Sequence, residues 1–448
     1  MPLKLIKKAV RNITAPGELR RLLVNTSWLA YDRVIRLAIN LFVVGWMARY
    51  LGPRLYGLFD YATSITMLVG VLAAFGTNSI VIRDLVKNRE RSGEILGSAF
   101  LIRQFGGIMT VVISTVVVFI LNPEEPMTQL LVVVISITFV FASIDVVDLY
   151  FQSHIKSKYS VIANNTAFML LSIIRILLIV YKAPLMAFAI AATVEVAVAQ
   201  VGMLIIYRKV TGHFIFRWKW NFGIAKQMLR DSWPLMLAGA SNYFMLKVSQ
   251  IMLGNMASYT EVGEYAAAVK ISEVWYFVPT VIYSSMYPKL VEFKAASEEK
   301  YYKRLMDYFT IMALISYLAV IPTFFLNEWI INIIFGSQYI KASFILGIHI
   351  WAGIFVSMYQ ARNTWCNIEN FTKSIFYSTI AGAILNIILN VPLIRYYGGV
   401  GAAVSVMIAR IFTGFLSTIF MSRRVFFMQV KSLYLYGIWK IIKNDILA

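Results

Sequence analysis

The chain alternates between long apolar runs and short polar connections. A membrane-crossing helix needs roughly 20 mostly apolar residues. By that rule the pattern predicts about twelve spans, at 28–50, 58–82, 97–121, 128–151, 161–181, 185–206, 233–256, 264–288, 305–326, 345–366, 375–395 and 400–421. The longest connection, 207–232, carries Trp218 and Trp220 among basic residues, which suits a segment at the membrane interface. The first 27 residues are basic and lack both a long apolar core and a small-residue cleavage site. They read as an amphipathic segment on the membrane surface and not as a cleaved signal. The expected organisation is an all-α polytopic membrane protein: a cytoplasmic segment 1–27, a six-span lobe 28–206, a cytoplasmic linker 207–232, a second six-span lobe 233–421 and a cytoplasmic or interfacial tail 422–448.

Composition sharpens this reading. The chain is 59% hydrophobic and 14% charged, where soluble domains carry about 25% charged residues. Its one cysteine, Cys366, excludes an internal disulfide framework, and His154, His213 and His349 show no metal-ligand spacing. No cofactor or metal is therefore expected. The net charge of +20 is largely topological: 30 of the 42 lysines and arginines fall in alternate connections and the two ends, and 5 at the opposite faces. The positive-inside rule then places both termini in the cytoplasm, and nucleic acid need not be invoked.

The two halves echo each other. Ser27–Trp28 opens the first span and Ser232–Trp233 the seventh. Gly57 follows Ser27 in GPRLYGLFDYATSI, and Gly263 follows Ser232 at nearly the same distance in SYTEVGEYAAAVKI. Six spans per half imply a parallel repeat about an axis along the membrane normal, with a cavity between two lobes.

Charges inside spans carry the functional signal, because intramembrane charges face a protein interior or a water-filled cavity. The deep cations are Arg36, Arg175, Lys247, Lys270 and Arg410, and the deep acids are Glu195 and Glu273. Asp32 and Arg36, and Lys270 and Glu273, lie at helical pairing distance. Arg33 and Arg103 are expected to snorkel to the inner surface, and Asp60, at a span end, to have no special role. The five cations are the candidate site, suited to phosphate or diphosphate oxygens. Glu195 and Glu273 are candidates for ion coupling; Glu195 has no basic neighbour one turn away, and its alternative is a pair with Arg175. Further cavity candidates are Asn78, Asn242, Tyr243, Trp275, Tyr276, Gln360, Arg362 and Asn363. Pro234 is expected to open the seventh span, and Pro279 and Pro392 to bend theirs. The run GGVGAAVSVMIAR from Gly398 lacks the lysine of a P-loop and reads as a tight outer turn before close helix packing.

The first-span run into ARYLGPRLYGLFDYATSI, the stretch DLYFQSHIKSKYSVIANNTAF and YGGVGAAVSVMIAR, in that order across about 25–425, resemble a polysaccharide flippase of the Wzx type. These belong to the multidrug/oligosaccharidyl-lipid/polysaccharide exporter superfamily. The resemblance implies a V-shaped two-lobed bundle in the bacterial inner membrane, flipping undecaprenyl-diphosphate-linked oligosaccharide by alternating access and not acting as an enzyme. It implies membrane lipids as partners, with a polysaccharide polymerase and chain-length machinery alongside. Peptidoglycan-precursor members of the superfamily usually carry two further spans. Two alternatives are weighed: a cation-coupled multidrug exporter, whose cargo a positive cavity would repel, and a membrane glycosyltransferase or polymerase, which the short outer loops disfavour.

Overall fold

In the computed structural model, the described residues are 16–435 apart from His213, with side chains described from residue 35 onward except at His213, Phe216, Ala238 and Asn242. Among them the fold is all-α. The first 15 residues and the tail beyond 435 lie outside the described residues, as do the side chains of Asp32, Arg33 and Asn242.

Eight helical segments among the described residues are long and apolar enough to cross a membrane, and ten of the expected spans fall on them. Two of these segments hold two spans each. In α1 (Pro16–Ala74) the break is Gly52, at φ 74°, a left-handed value that glycine adopts without a Cβ penalty. Pro53 follows it, supplying φ for a new helix start while lacking an N–H to bond backwards. The helix α2 (Asn78–Lys87) completes this arm. Next come α3 (Ser92–Leu121), α4 (Pro126–Ser136), α5 (Thr138–Phe141), α6 (Val146–Ser153), α7 (Lys158–Val180) and α8 (Leu185–Thr211). The expected spans at 233–256 and 264–288 fall on α9 (Phe222–Met256), α10 (Tyr259–Val274) and α11 (Phe277–Ala296). The eighth span breaks just before Pro279: α10 stops at Val274, and Trp275, four residues before the proline, is the residue whose carbonyl the proline cannot bond.

The remaining helices are α12 (Glu298–Phe325), α13 (Asn327–Ile334), α14 (Ile340–His349), α15 (Ala352–Ile368), α16 (Thr372–Gly414) and α17 (Arg423–Leu433). In α16 helix continues through Pro392, and the interruption comes at Gly398, φ 56°. A Cβ on Gly401 would lie 2.0 Å from the Leu393 carbonyl oxygen, so the turn predicted at this glycine run is a close backbone crossing.

Two expectations are corrected, and the start of the tail gains a packed helix. Pro234 lies inside α9, not at its first turn, because helix already begins at Phe222 within the linker. The linker is accordingly short, and Trp218 is not simply at an interface: its ring meets Phe100 and Tyr207 edge-on, and its Nε1 donates to the Tyr207 hydroxyl at 3.3 Å. The start of the tail is packed protein, since α17 buries Val425, Gln429 and Ser432, and Gln429 Nε2 donates to the Gly414 carbonyl at 2.9 Å.

The chain divides into two compact units, Met1–Met47 with Ile65–Ala240, and Ala48–Ser64 with Ser241–Ala448. The first centres on Val81, Leu85, Leu96, Val146 and Phe151, all fully enclosed. The second centres on Leu290, Tyr301, Tyr308, Phe309 and Met358. A buried polar seam ties its helices: Asn390 and Asn386 donate to Ser249 Oγ at 3.0 and 3.4 Å, and Ser405 Oγ donates to Asn386. Such interhelical hydrogen bonds hold helices together where lipid removes the hydrophobic drive.

Candidate functional site: two charged centres

The structure sorts the deep charges into two groups, one in each unit. In the second unit, Lys247 on α9, Lys270 and Glu273 on α10 and Arg410 on α16 come close enough for all three cations to act electrostatically on Glu273. Helical pitch explains part of this. Lys270 and Glu273 are three residues apart and share a face, while Arg410 arrives from the last span after the turn at Gly398. Arg410 is 7% exposed and its Nε has no hydrogen-bond partner. Glu273, Arg410, Tyr265, Tyr276 and His349 line one tight space of about 10 Å³, room for no more than a single water.

Sequence reasoning missed two members. His349 is 3% exposed; its Nδ1 is 2.6 Å from Ser272 Oγ, and Tyr265 meets its ring edge-on. Asp60 also acts on Glu273, and its Oδ2 is buried without a hydrogen-bond partner. The groups gathered here carry three formal positive and two formal negative charges.

In the first unit, Arg175 Nη2 lies 2.7 Å from Glu195 Oε2, with the two side chains 13% and 19% exposed. The two residues face each other from α7 and α8. Arg36 is directed to α7 as well: its Nε donates to Asn165 Oδ1 at 3.1 Å and its guanidinium stands 5.1 Å from the Phe168 ring centre. Both partners belong to the IANNTAF stretch singled out in the sequence.

Other polar candidates have structural partners. Arg103 does not snorkel; it is 5% exposed and its Nε donates to Thr77 Oγ1 at 3.3 Å, with Asn78 Oδ1 as a second acceptor. Arg362 is fully buried, donating to the Thr413 carbonyl and Ser417 Oγ, both at 2.6 Å, and to Asn363 and Ser378. Gln360 donates to Thr280. Trp275 and Tyr276 border an apolar cavity with Pro279 and Leu318, and Tyr243 is exposed.

The glycines of the doubled motif meet each other within the second unit. A Cβ on Gly57 would lie 1.7 Å from the Tyr259 carbonyl oxygen, and one on Gly263 would lie 2.0 Å from the Pro53 carbonyl oxygen. The contact is reciprocal: Gly57 meets the residue four before Gly263, and Gly263 meets the residue four before Gly57. One glycine on each helix, with no Cβ, is what lets the two backbones touch here. Around this crossing, Arg49 Nη2 donates to the Asn332 carbonyl at 2.6 Å, which also accepts from the Gly336 amide, and to that of Ile333, at the end of α13. Tyr339 donates to the Ala48 carbonyl, and Glu261 accepts from Lys341 and from the Gly399 amide.

With this geometry in place, comparison with known proteins is decisive about ancestry. Residues 22–294 match the family described as "Polysaccharide biosynthesis protein". The chain belongs to that family. The matched segment of this polysaccharide biosynthesis family member holds Arg36, Arg175, Glu195, Lys247, Lys270 and Glu273; His349 and Arg410 lie beyond it. A curated relative, "Probable low-salt glycan biosynthesis flippase Agl15" of Haloferax volcanii, is 24% identical over 231 residues, 49% of this chain and 48% of the relative. The match thus spans about half the length of that relative. The fold resembles "Lipid II flippase MurJ, inward closed conformation", at TM-score 0.69 and 17% identity over 94% of each chain. It also resembles an inward-facing "multidrug resistance MATE family transporter of the MOP superfamily", at TM-score 0.67 and 12% identity over 92% of this chain and 98% of that one. This is a multi-pass membrane protein with a transporter fold.

Proposed function

We propose that this member of the polysaccharide biosynthesis family flips undecaprenyl-diphosphate-linked oligosaccharide across a bacterial inner membrane by alternating access, with both termini cytoplasmic and two lobes at 28–206 and 233–421. The observation that carries the proposal is the convergence of Lys247, Lys270 and Arg410 on Glu273 in a helical interior. An excess of positive charge in low dielectric calls for an anion, and diphosphate oxygens accept charge-assisted hydrogen bonds from both lysine and arginine. The same excess disfavours cationic drugs as cargo. In the first unit the Arg175–Glu195 pair, neutral in itself, positions α7 and α8, and Arg36, held at Asn165 about ten residues before Arg175 on α7, contacts substrate. The reciprocal crossing at Gly57 and Gly263 supports a duplicated design, and the contacts around it must part for release to the outer face.

The test is polysaccharide export from cells that depend on this protein. Glutamine at Lys247, Lys270 or Arg410 lowers export while the amount of protein in the membrane holds. Normal export from all three variants contradicts the assignment.

A further inference from the structure

Away from both charged centres, the first unit carries an open groove of about 580 Å³, lined by Phe75, Leu101, Ile102, Phe105, Trp220 and Leu229. Its wall is built, not incidental. Residues 217–221 are strapped onto the start of α3: the Lys219 amide donates to the Gly93 carbonyl at 3.1 Å, and a Cβ on Gly97 would lie 2.5 Å from the Lys219 carbonyl oxygen. Asn221 bonds Ser98 Oγ through both its amide and its carbonyl, and its side chain donates to Glu94 at 2.9 Å. The two tryptophans of the strap divide the work. Trp218 is pinned against Phe100 and Tyr207, while Trp220, 50% exposed, is presented to the groove.

The rim is basic. Phe222, Lys226, Leu229 and Trp233 stand at i, i+4, i+7 and i+11 on α9, so they form one stripe, and all four are exposed. Lys219 and Arg230 are exposed beside it. Two acids of this region are already engaged, Glu94 by Arg91 and Asp231 by Arg83, each at 2.7 Å, and Lys219 also lies within electrostatic reach of Glu94. An apolar trough opening onto lysines, with an aromatic ring between, matches a molecule with a hydrocarbon chain and an anionic head.

We propose that this groove binds an acidic glycerophospholipid, one acyl chain lying against Phe105 and Trp220 and the phosphate held by Lys219 and Lys226. Basic pockets flanking membrane helices suit anionic headgroups, and lysine stems can bridge the apolar and polar zones. The site shares no residue with the proposed flipping machinery, so it stands whether or not the substrate assignment does.

The test is native mass spectrometry of the purified full chain titrated with phosphatidylglycerol, phosphatidylcholine and a polyprenyl phosphate. The expected result is a clear preference for phosphatidylglycerol, falling about fivefold in Lys219→Gln and in Lys226→Gln. It holds in Lys431→Gln, an exposed lysine on α17. Gly97→Ala, which displaces the strap without removing a charge, lowers it too; should that variant unfold, the lysine variants decide alone. Equal binding of the two phospholipids, or a preference that survives both lysine variants, reduces the groove to ordinary boundary lipid and overturns the proposal. Displacement of phosphatidylglycerol by far less polyprenyl phosphate overturns it in favour of the carrier.

Discussion

The glycine crossing makes a quantitative demand. Gly57→Ala puts a methyl carbon 1.7 Å from the Tyr259 carbonyl oxygen, and Gly263→Ala puts one 2.0 Å from that of Pro53. A tolerable carbon–oxygen contact is about 3.3 Å. The obstacle in each case is backbone, so the two helices must separate by well over 1 Å. Overpacking of this kind costs about 1–3 kcal/mol. That cost falls only on the conformation in which the helices touch, so it shifts the population toward the parted conformation by roughly 5- to 150-fold. Ala267, one turn beyond Gly263 and fully buried, reports the parting. In a Cys366→Ser background, Ala267→Cys is labelled from outside with an impermeant maleimide, with and without Gly57→Ala. The labelling rate rises within the stated range. One separation relieves both clashes, so Gly57→Ala with Gly263→Ala raises the rate by less than the product of the single effects. Gly239→Ala, whose Cβ meets nothing within 4 Å, is the control. An unchanged rate, a multiplicative double variant or an equal rise in the control refutes the reasoning.

Further predictions rest on other contacts. The 122–127 and 396–399 turns, as single cysteines in the Cys366→Ser background, label from outside intact cells; labelling only after the membrane is breached overturns the topology. Glu195→Gln leaves Arg175 without its carboxylate and lowers the amount of folded protein, and Arg175→Gln with Glu195→Gln recovers part of it, because an unpaired buried charge is worse than none; equal yields from all variants contradict the pair's importance. In vesicles with an imposed pH gradient, any response of flipping survives Glu195→Gln, because the acid is held by Arg175; loss of the response with flipping retained would make Glu195 the coupling group. Asn165→Ala, which removes the acceptor of Arg36 Nε, lowers export about as much as Arg36→Gln; full export from Asn165→Ala separates Arg36 from α7.

Much of the fold was legible because membranes make local sequence decisive. Apolar runs marked the spans, Gly398 marked a tight turn, and Pro279 marked the break between α10 and α11. The likeness of the motifs at Gly57 and Gly263 was visible, but nothing in the sequence said that the two glycines meet. Periodicity assigns a residue to a face and leaves open which helix that face meets. Arg103 therefore looked able to reach water, though it is enclosed by Thr77 and Asn78. Asp60 looked like a span-end acid, though the crossing beside Gly57 brings it to Glu273. His349 was set aside for lacking metal spacing, while its actual partners, Ser272 and Tyr265, are distant in sequence. The Arg175–Glu195 pair stood only as an alternative, since helices seven and eight had to be seen packed together before the two could be matched.

The central claim is flipping itself. The direct measurement is reconstitution of the purified chain into vesicles carrying a fluorescent polyprenyl-diphosphate-linked oligosaccharide in both leaflets, without nucleotide, with an impermeant quencher added outside. The account predicts that the inner-leaflet fraction becomes quenchable at a rate set by the protein and reduced in Lys247→Gln, Lys270→Gln and Arg410→Gln. Quenching that stops at the outer leaflet, as in protein-free vesicles, would contradict it.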